Sequence, residues 1–342
     1  MLFCRDPGTG LSAIIAVHST ALGPAAGGTR QWSYSRDTDA IYDVLRLSQG
    51  MSYKNAMAGL KFGGGKAVII KSNDFQPTEA LYARFGEFVD TLNGDYITAE
   101  DVGMTPEIMQ TIATRTRYVT GLPVSGGRAG GDPSPKTAHG VLCGIRAAVR
   151  HRLGRDDLDG LSVAVQGVGN VGYHLCKELS AAGARLFVAD IDAARVERAV
   201  DDFGAEGVPL DDVLFLDVDV VAPCALGAVL TRDSIPRLKT RIVAGGANNQ
   251  LETPEDGRRL LDADILFAPD YVINAGGIIN VACEYYGDVD DAGVMQLVRE
   301  IGPRLERIFD EAAERGEPSN VVADAQARRL ISAAGDAKAS SG

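Results

Sequence analysis

The sequence predicts an α/β protein with two domains, of which the second contains a doubly wound parallel sheet. Its 342 residues exceed the usual length of one domain, about 100–150 residues. After a stretch at 121–136 that is dense in glycine, proline and serine, short apolar runs alternate with helical patterns. The first of these runs leads into a glycine-rich turn that opens a helix. Strands that alternate with helices in this way form parallel βαβ units.

The first domain, residues 1–132, mixes strands and helices. Short runs rich in β-branched residues predict buried strands at 12–19 and 67–71. Between them, apolar residues at helical spacing behind an Asp/Thr start predict a helix over 37–51. Two further helices are expected to begin at Pro77-Thr78-Glu79 and at Thr105-Pro106-Glu107.

The second domain, residues 133–304, shows regular alternation of the two patterns. In chain order we expect helix 137–151, strand 161–167, helix 171–182, strand 184–190, helix 193–203, strand 218–223, strand 241–246, helix 253–261 and strand 265–273. A charged, alanine-rich helical tail follows over 291–336. We expect this tail to leave the sheet and to pack back across the first domain from about residue 305 to residue 342.

Composition and charge exclude several classes of function. The chain has 34 Lys and Arg against 46 Asp and Glu, so its formal net charge is −12, which disfavours binding to nucleic acid or to an anionic membrane. No apolar run approaches the roughly 20 residues of a spanning helix. We see no basic stretch followed by an apolar core near residue 1, and we expect no signal peptide and a cytoplasmic protein.

Metal and disulfide chemistry are not expected either. The 5 cysteines are odd in number, far apart and never spaced as C-x-x-C. The 4 histidines show no metal-ligand spacing. A hydrolase is also disfavoured, since no G-x-S-x-G motif is present.

A dinucleotide site is predicted where the strand at 161–166 ends. It runs directly into Gly167-Val168-Gly169-Asn170-Val171-Gly172, and a helix follows. These glycines suit a tight turn, close approach to a pyrophosphate, and packing of the helix on the strand. Asp190 ends the next strand, near the spacing expected for a carboxylate that binds the ribose hydroxyls. Because no arginine follows it immediately, the pattern favours NAD over NADP.

A lysine-rich segment, residues 51–66, is predicted to be a functional loop in the first domain. Lys54 and Lys66 lie 12 positions apart around a triple glycine. The segment is no phosphate-binding loop, since Leu60 and Ala67 occupy the required glycine and Ser/Thr positions. We expect one lysine to fix a carboxylate and the other, partly desolvated, to act as a base. The alternative is a pair of solvated surface charges.

Two carboxylates, Glu100 and Asp101, lie at the end of a predicted strand downstream. An acid beside a lysine base can carry a proton to and from a reacting group. The alternative reading is an acid that caps the following helix, which fits Glu100 better than Asp101.

Eight segments in order resemble the amino-acid dehydrogenase family that includes glutamate, leucine, phenylalanine and valine dehydrogenases, most of all the leucine enzymes. They are LGPAAGGTR, MSYKNAMAGLKFGGGKAVII, ITAEDVG, GDPSPKTAHGV, VAVQGVGNVG, APCALGAVL, AGGANNQL and APDYVINAGGIINVA. The resemblance implies NAD-dependent, reversible oxidative deamination of an L-amino acid to a 2-oxo acid and ammonia. It also implies a Rossmann-like NAD-binding domain, with the active site in the cleft between the domains.

The resemblance also implies roles for individual residues. Lys54 matches the lysine that pairs with the substrate α-carboxylate, Lys66 the catalytic lysine that activates water, and Asp101 the acid that exchanges protons with the amine. Further substrate-binding candidates are Ala26, Gly27, Ala99, Asn248, Ile278 and Val281. The cofactor-binding candidates are Thr137, Gly167, Val168, Gly169, Asn170, Val171, Gly172, Asp190, Cys224, Ala225, Ala247, Asn248 and Asn274.

Substrate choice depends on Ala26. By resemblance, glutamate enzymes carry a lysine here that holds the side-chain carboxylate, so glutamate is disfavoured because its charge would be buried unpaired. Leucine enzymes carry leucine, and alanine leaves a deeper pocket. We therefore predict a branched-chain substrate, with phenylalanine as the alternative, in a homo-oligomer. An NAD-binding sensor without catalysis is a remoter alternative. Lys136 and His139 depart from the leucine pattern, and we expect solvated surface positions for both.

Overall fold

A computed structural model describes residues 1–72, 75–122, 129–225 and 227–341 of the chain. The chain divides into two compact units. Unit 1 comprises Met1–Gly131, Asn280–Ala292 and the chain from Ala327 onward, and unit 2 comprises Asp132–Ile279 and Gly293–Gln326. The predicted connection at 121–136 falls partly on residues 123–128, which lie outside the described residues.

Unit 1 is built on a five-stranded mixed sheet with the order β1-β2-β4-β3-β5. Its strands are β1 (Leu2–Asp6), β2 (Leu11–Ser19), β3 (Ala25–Trp32), β4 (Gly63–Ile70) and β5 (Tyr96–Glu100). β1 and β2 pair antiparallel, as do β2 and β4, whereas β4, β3 and β5 run parallel. The parallel half therefore brings the ends of β3 and β5 to the same edge of the sheet.

Three helices of unit 1 flank this sheet, namely α1 (Asp37–Met57), α2 (Glu79–Asp90) and α3 (Pro106–Ala113). The predicted starts of the last two are confirmed, because the hydroxyls of Thr78 and Thr105 cap them by accepting backbone N–H groups. A core of fully buried side chains, among them Phe85, Tyr96 and Met109, packs between α2, α3 and the sheet. Burial of these large apolar groups is the main stabilisation of the unit.

The prediction of a lysine-rich loop is wrong. Lys54 lies in the last turn of α1, and the triple glycine and Lys66 belong to strand β4. Close packing is the reason for the glycines: a Cβ on Gly64 would overlap the backbone of Ser52, and one on Gly65 would lie 2.7 Å from the ring of Tyr96. Here glycine marks close approach of neighbouring elements rather than an exposed turn.

Unit 2 contains a six-stranded, wholly parallel sheet with the order β11-β10-β9-β6-β7-β8. Its strands are β6 (Ser162–Gln166), β7 (Arg185–Ala189), β8 (Glu206–Gly207), β9 (Val220–Pro223), β10 (Ile242–Val243) and β11 (Leu266–Phe267). The chain winds from β6 to one edge and then returns to β9 and winds to the other. This is the predicted doubly wound order, and ligands of such sheets bind at the carboxyl ends of the two central strands.

Helices cover the sheet of unit 2 and continue beyond it. They are α4 (Ser134–Leu153), α5 (Asn170–Ala181), α6 (Ala193–Phe203), α7 (Asp256–Asp262), α8 (Asp270–Ile273), α9 (Gly276–Tyr286), α10 (Asp291–Arg299), α11 (Ile301–Arg315) and α12 (Ser319–Ser341). The predicted strand over 265–273 is too long. It ends at Phe267, because Pro269 has no N–H for the ladder and its carbonyl accepts the first N–H groups of the α8 turn.

The helical tail differs from the prediction of one segment packed on the first domain. It consists of α10, α11 and α12, and the break before α12 falls at Gly316, which has φ +63°, and at Pro318. Helix α11 belongs to unit 2, where Leu305 packs against Gly144 of α4. Of this tail, the first two residues of α10 and the part of α12 from Ala327 onward belong to unit 1. Among the described residues, no helix is long and apolar enough to span a membrane.

Candidate active site

Lys66 is a buried cation in the middle of unit 1. It lies on β4, is 5% exposed, and its Nζ is 3.0 Å from Asp101 Oδ2. Burial lowers the pKa of Lys66 below its ordinary value; the nearby charge of Asp101 opposes this and that of Arg30 reinforces it. A lysine that loses its proton more readily than usual is a usable general base.

Asp101 follows β5 and faces two cations. Its Oδ2 accepts from Lys66 Nζ and, at 3.0 Å, from Arg30 Nε. Burial opposes ionisation of this carboxyl, but the positive charges of Lys66 and Arg30 prevail and hold its pKa below the ordinary value. Asp101 is therefore a carboxylate at neutral pH.

Glycines of β3 allow these groups to meet. A Cβ on Gly28 would lie 2.8 Å from Asp101 Cβ, and one on Gly27 would overlap the carbonyl oxygen of Gly65. Tyr96 donates its hydroxyl to the Gly27 carbonyl at 2.7 Å and so fixes β5 against β3. The glycine cluster of this segment thus brings the end of β5 close to Lys66.

Sequence reasoning missed the ionic partners of this pair. Arg30 contacts Asp43 on α1, with 3.2 Å between Nη1 and Oδ2. Asp43 in turn accepts from the Tyr34 hydroxyl at 2.8 Å and from Arg46 at 3.2 Å. A lone arginine at the end of LGPAAGGTR and an acid on the polar face of a predicted helix carry no local signal, since only the fold brings them together.

Four further candidate residues of unit 1 lie on α1, β3, β5 and α9. Lys54 is half-buried on α1, which packs along β4. Ala26 is 1% exposed and belongs to an apolar cluster with Phe62, Ile97 and Ala282, here named the Ala26 cluster. Ala99 is buried beside Gly28 in the β3–β5 pairing, and Val281 is half-buried on α9.

The dinucleotide loop of unit 2 has the backbone that its glycines predict. Gly167 has φ +90°, and a Cβ there would lie 2.8 Å from the backbone of Ala225. A Cβ on Gly172 would overlap the carbonyl oxygen of Gly167. Helix α5 begins at Asn170, and within the described part of the chain no side-chain cap is found at its start, so its first N–H groups can meet an anion. The loop therefore fits the pyrophosphate of a dinucleotide.

Asp190 follows β7 and is held by the loop. Its Oδ2 accepts the Val168 N–H at 2.8 Å and its Oδ1 accepts the Asp192 N–H at 3.0 Å. Arg195 of α6 approaches Oδ1 to 3.9 Å. The prediction of NAD depends on the two residues that directly follow Asp190. It gives no sign of Arg195, which the first turn of α6 brings back toward the loop.

The remaining candidates of unit 2 lie at the carboxyl ends of its strands and beside them. Asn274 donates to the side-chain oxygen of Asn248 at 2.6 Å and to the Gly246 carbonyl at 3.2 Å, which orients the exposed Asn248 amide. Thr137 donates its hydroxyl to the Pro133 carbonyl. Val171, Cys224, Ala225 and Ala247 belong to the loops and helix start at this edge, and the buried Ile278 lies on the part of α9 in unit 2.

The surroundings of Cys224 and His139 determine what these two residues of unit 2 can do. Burial raises the pKa of the Cys224 thiol to about 11, so it is not a nucleophile near neutral pH. His139 is not a solvated surface residue, because its ring Nδ1 lies 2.9 Å from Glu178 and ties α4 to α5. In the part of the chain that the structure describes, no group of three or more His, Cys, Asp or Glu could hold a metal ion.

Comparison with known proteins agrees with this architecture. The family model of the Glu/Leu/Phe/Val dehydrogenase dimerisation domain matches residues 1–118, and that of Glutamate/Leucine/Phenylalanine/Valine dehydrogenase matches residues 187–334. Leucine dehydrogenase of Geobacillus stearothermophilus is 48% identical over 331 residues, 97% of this chain and 90% of that protein. Phenylalanine dehydrogenase of Lysinibacillus sphaericus is 42% identical over 92% of this chain and 83% of its own.

A solved structure shares the whole architecture. The crystal structure of L-tryptophan dehydrogenase from Nostoc punctiforme superposes with a TM-score of 0.86 at 44% identity, covering 97% of this chain and 95% of that one. The fold and these likenesses define an oxidoreductase that works with a nicotinamide cofactor. The chain belongs to the Glu/Leu/Phe/Val dehydrogenase family. It is an amino-acid dehydrogenase.

Replacement of Gly172 by alanine tests the fit of the loop to a dinucleotide. The added Cβ overlaps the Gly167 carbonyl oxygen, so the turn must move away from the start of α5. We expect nucleotide binding, measured by calorimetry with NADH, to weaken about tenfold to a hundredfold. The control is Gly50→Ala on α1, where a Cβ meets no atom within 4 Å. Unchanged affinity of the Gly172 variant would contradict the assignment of this loop.

Proposed function

We propose that this chain catalyses the reversible, NAD-dependent oxidative deamination of an aliphatic L-amino acid, with a branched-chain substrate such as leucine preferred. The observation that carries the proposal is the buried contact between Lys66 and Asp101. A lysine whose pKa is lowered and a carboxylate lie 3.0 Å apart, which supplies a base and a second group that can carry a proton.

The roles of the residues follow from their chemistry. Lys54 holds the α-carboxylate of the substrate by charge. When bound, the nicotinamide supplies the acceptor for the hydride that leaves Cα of the substrate. The substrate is then an imine. Lys66, when neutral, takes a proton from the water that adds to the imine carbon. Asp101 then carries the hydroxyl proton of the resulting adduct to the substrate nitrogen, the C–N bond breaks, and ammonia and the 2-oxo acid are released.

The proposed cofactor is NAD. The carboxylate of Asp190 lies at the end of β7 and is only 6% exposed, with both of its oxygens fixed by backbone N–H groups. A carboxylate there hydrogen-bonds two ribose hydroxyls and repels a 2′-phosphate. Arg195 is already engaged with Asp192 at 3.4 Å, which limits its use for a phosphate.

The Ala26 cluster supports an aliphatic substrate. Its buried members are all apolar, so the side-chain carboxylate of glutamate would be buried there without a cation. Small size at Ala26 need not give a deeper pocket, because Phe62 packs in the same cluster and is itself fully buried. Its ring packs on Tyr286 at a centroid distance of 5.1 Å and on Tyr285 at 5.7 Å. We infer that these rings occupy space beside Ala26 that a larger substrate side chain would need.

Replacement of Phe62 by leucine is expected to widen the pocket. We expect the ratio of kcat/KM for phenylalanine to that for leucine to rise by about tenfold, the effect of a few methylenes in an apolar pocket. The matched control is Phe85→Leu, which removes an equally buried ring from a different core of unit 1. Both variants lose stability, but only the Phe62 variant should change the ratio. An unchanged ratio would remove Phe62 from the determinants of specificity.

Phenylalanine remains the second candidate substrate, since the relatives include phenylalanine and L-tryptophan dehydrogenases at 42% and 45% identity. A homo-oligomer is also part of the proposal, and the description of the family model over residues 1–118 as a dimerisation domain supports it. A nucleotide sensor without catalysis is disfavoured because Lys54, Lys66 and Asp101 are all present.

The test is the rate of NADH formation from NAD at alkaline pH with leucine, isoleucine, valine, phenylalanine, tryptophan and glutamate. We expect the aliphatic substrates to give the highest kcat/KM and glutamate to give the lowest. A higher kcat/KM for phenylalanine or tryptophan would replace the branched-chain proposal with the aromatic one. NADP in place of NAD should give markedly slower turnover, and equal rates would contradict the role of Asp190.

A further inference from the structure

Arg30 is the residue that connects the candidate proton-transfer pair to the rest of unit 1. It lies on β3, and its side chain is 23% exposed. Its Nε donates to Asp101 Oδ2 at 3.0 Å, the same oxygen that Lys66 contacts, and its Nη1 donates to Asp43 at 3.2 Å. One guanidinium thus bridges two carboxylates, and its planar shape fixes both directions of contact.

Asp43 holds Arg30 from the other side. It lies on α1 with a side chain 18% exposed, and its two oxygens accept from three donors: Arg30, the Tyr34 hydroxyl and Arg46. Each of these contacts is 2.8–3.2 Å long. Because these donors satisfy both oxygens of Asp43, the carboxylate does not need water as a partner. Its contact with Arg30 is therefore maintained, and this contact keeps the guanidinium directed toward Asp101.

The charges of the network act on Lys66 with opposite signs. Asp101 and Asp43 favour its charged form, while Arg30 and burial disfavour it. Among the described residues, the titratable groups Tyr34, Arg46 and Tyr96 also face the network. Without Arg30, the negative charge of Asp101 would act on Lys66 undivided and would stabilise the protonated form of the lysine more strongly.

We propose that Arg30 is a positioning residue for the reaction, which anchors Asp101 against Lys66 and, held by Asp43, divides the carboxylate charge so that Lys66 can release its proton. The inference rests on the proposed function, because it assigns Lys66 as the base of deamination. Arg30 acts through Asp101 and Lys66 and needs no contact with the substrate.

The experiment measures kcat/KM for leucine with NAD from about pH 7 to about pH 11, with the full-length wild-type protein and variants. In deamination the rate rises with pH as the base loses its proton. We expect Arg30→Gln to move this rising limb to higher pH by about one unit, since loss of the cation raises the pKa of Lys66. Arg30→Lys keeps a positive charge and should return the rising limb most of the way to its position in the wild type.

A second variant tests the sign. Asp43→Asn keeps an oxygen that can accept from Arg30 and so leaves the arginine in place, but it removes a negative charge that favours protonated Lys66. The limb should therefore move to lower pH, opposite to Arg30→Gln. A merely structural role would not give opposite shifts. The control is Arg36→Gln, which breaks an exposed ion pair with Asp39 and should leave the limb in place.

The outcomes separate the two proposals. If the wild type turns over no amino acid, the proposed function fails. If the wild type is active and the limb of Arg30→Gln stays in place, the positioning role is overturned. Should Arg30→Gln not fold, Asp43→Asn decides alone, and a limb that does not move to lower pH would likewise overturn the role of the network.

Discussion

Replacement of Lys66 by alanine is expected to lower kcat for amino-acid deamination by about a thousandfold, the usual contribution of a positioned general base. The lysine is 5% exposed and its Nζ contacts Asp101, so its truncation removes both the base and a cation that pairs with this carboxylate. We propose that nucleotide binding depends on the loop of unit 2, so it should be retained in this variant. The measurement pairs steady-state turnover with calorimetric titration of NADH.

The pH dependence gives this prediction a second readout. Because the pKa of Lys66 is lowered, the rate of deamination by the wild type should rise at a lower pH than the ordinary value for a lysine would give. The rising limb should disappear in the Lys66 variant. Lys61→Ala, on an exposed lysine five positions earlier, is the control and should match the wild type. A Lys66 variant with wild-type turnover would refute the role of Lys66 as the base.

The second large effect is expected for Asp101→Asn. The amide keeps the shape of the side chain but cannot accept a proton, so kcat should fall by about a hundredfold to a thousandfold. The change also removes the negative charge that favours protonated Lys66, which should move any remaining rising limb to lower pH. Turnover and its pH profile with leucine measure both effects.

Glu100→Gln is the control for Asp101, because the adjacent acid is the other carboxylate that the sequence offers at this strand end. Glu100 is exposed on β5, whereas Asp101 contacts Lys66 and Arg30. We expect Glu100→Gln to change kcat less than about tenfold. A larger loss in Glu100→Gln than in Asp101→Asn would reassign the proton transfer to Glu100.

Local patterns predicted a good part of unit 2. The glycine turn at Gly167, the start of α5 and the carboxylate at Asp190 are all set by short-range geometry, so the sequence alone locates them. The ends of the short strands were harder to predict. β10 and β11 have two residues each, and Pro269 turns the chain into α8 within an apolar run that resembles one strand.

Contacts between distant segments produce the features of the site that the sequence did not predict. The triple glycine before Lys66 resembles a loop, yet its glycines are needed because Ser52 and Tyr96 leave no room for a Cβ. Arg30 and Asp43 are 13 residues apart and carry no motif, but the packing of α1 on the sheet makes them neighbours. Phe62 gave no signal either, because only its packing with Ala26 shows that a small residue at position 26 need not enlarge the pocket.

The most direct test of the proposed oxidative deamination is the stoichiometry of the reaction with leucine. The purified full-length protein is incubated with leucine and NAD, and NADH, ammonium and the 2-oxo acid are each quantified. Oxidative deamination predicts that the three products appear in equal amounts, and that none forms with Lys66→Ala. Binding of NAD without release of ammonium from any amino acid tested would contradict the account.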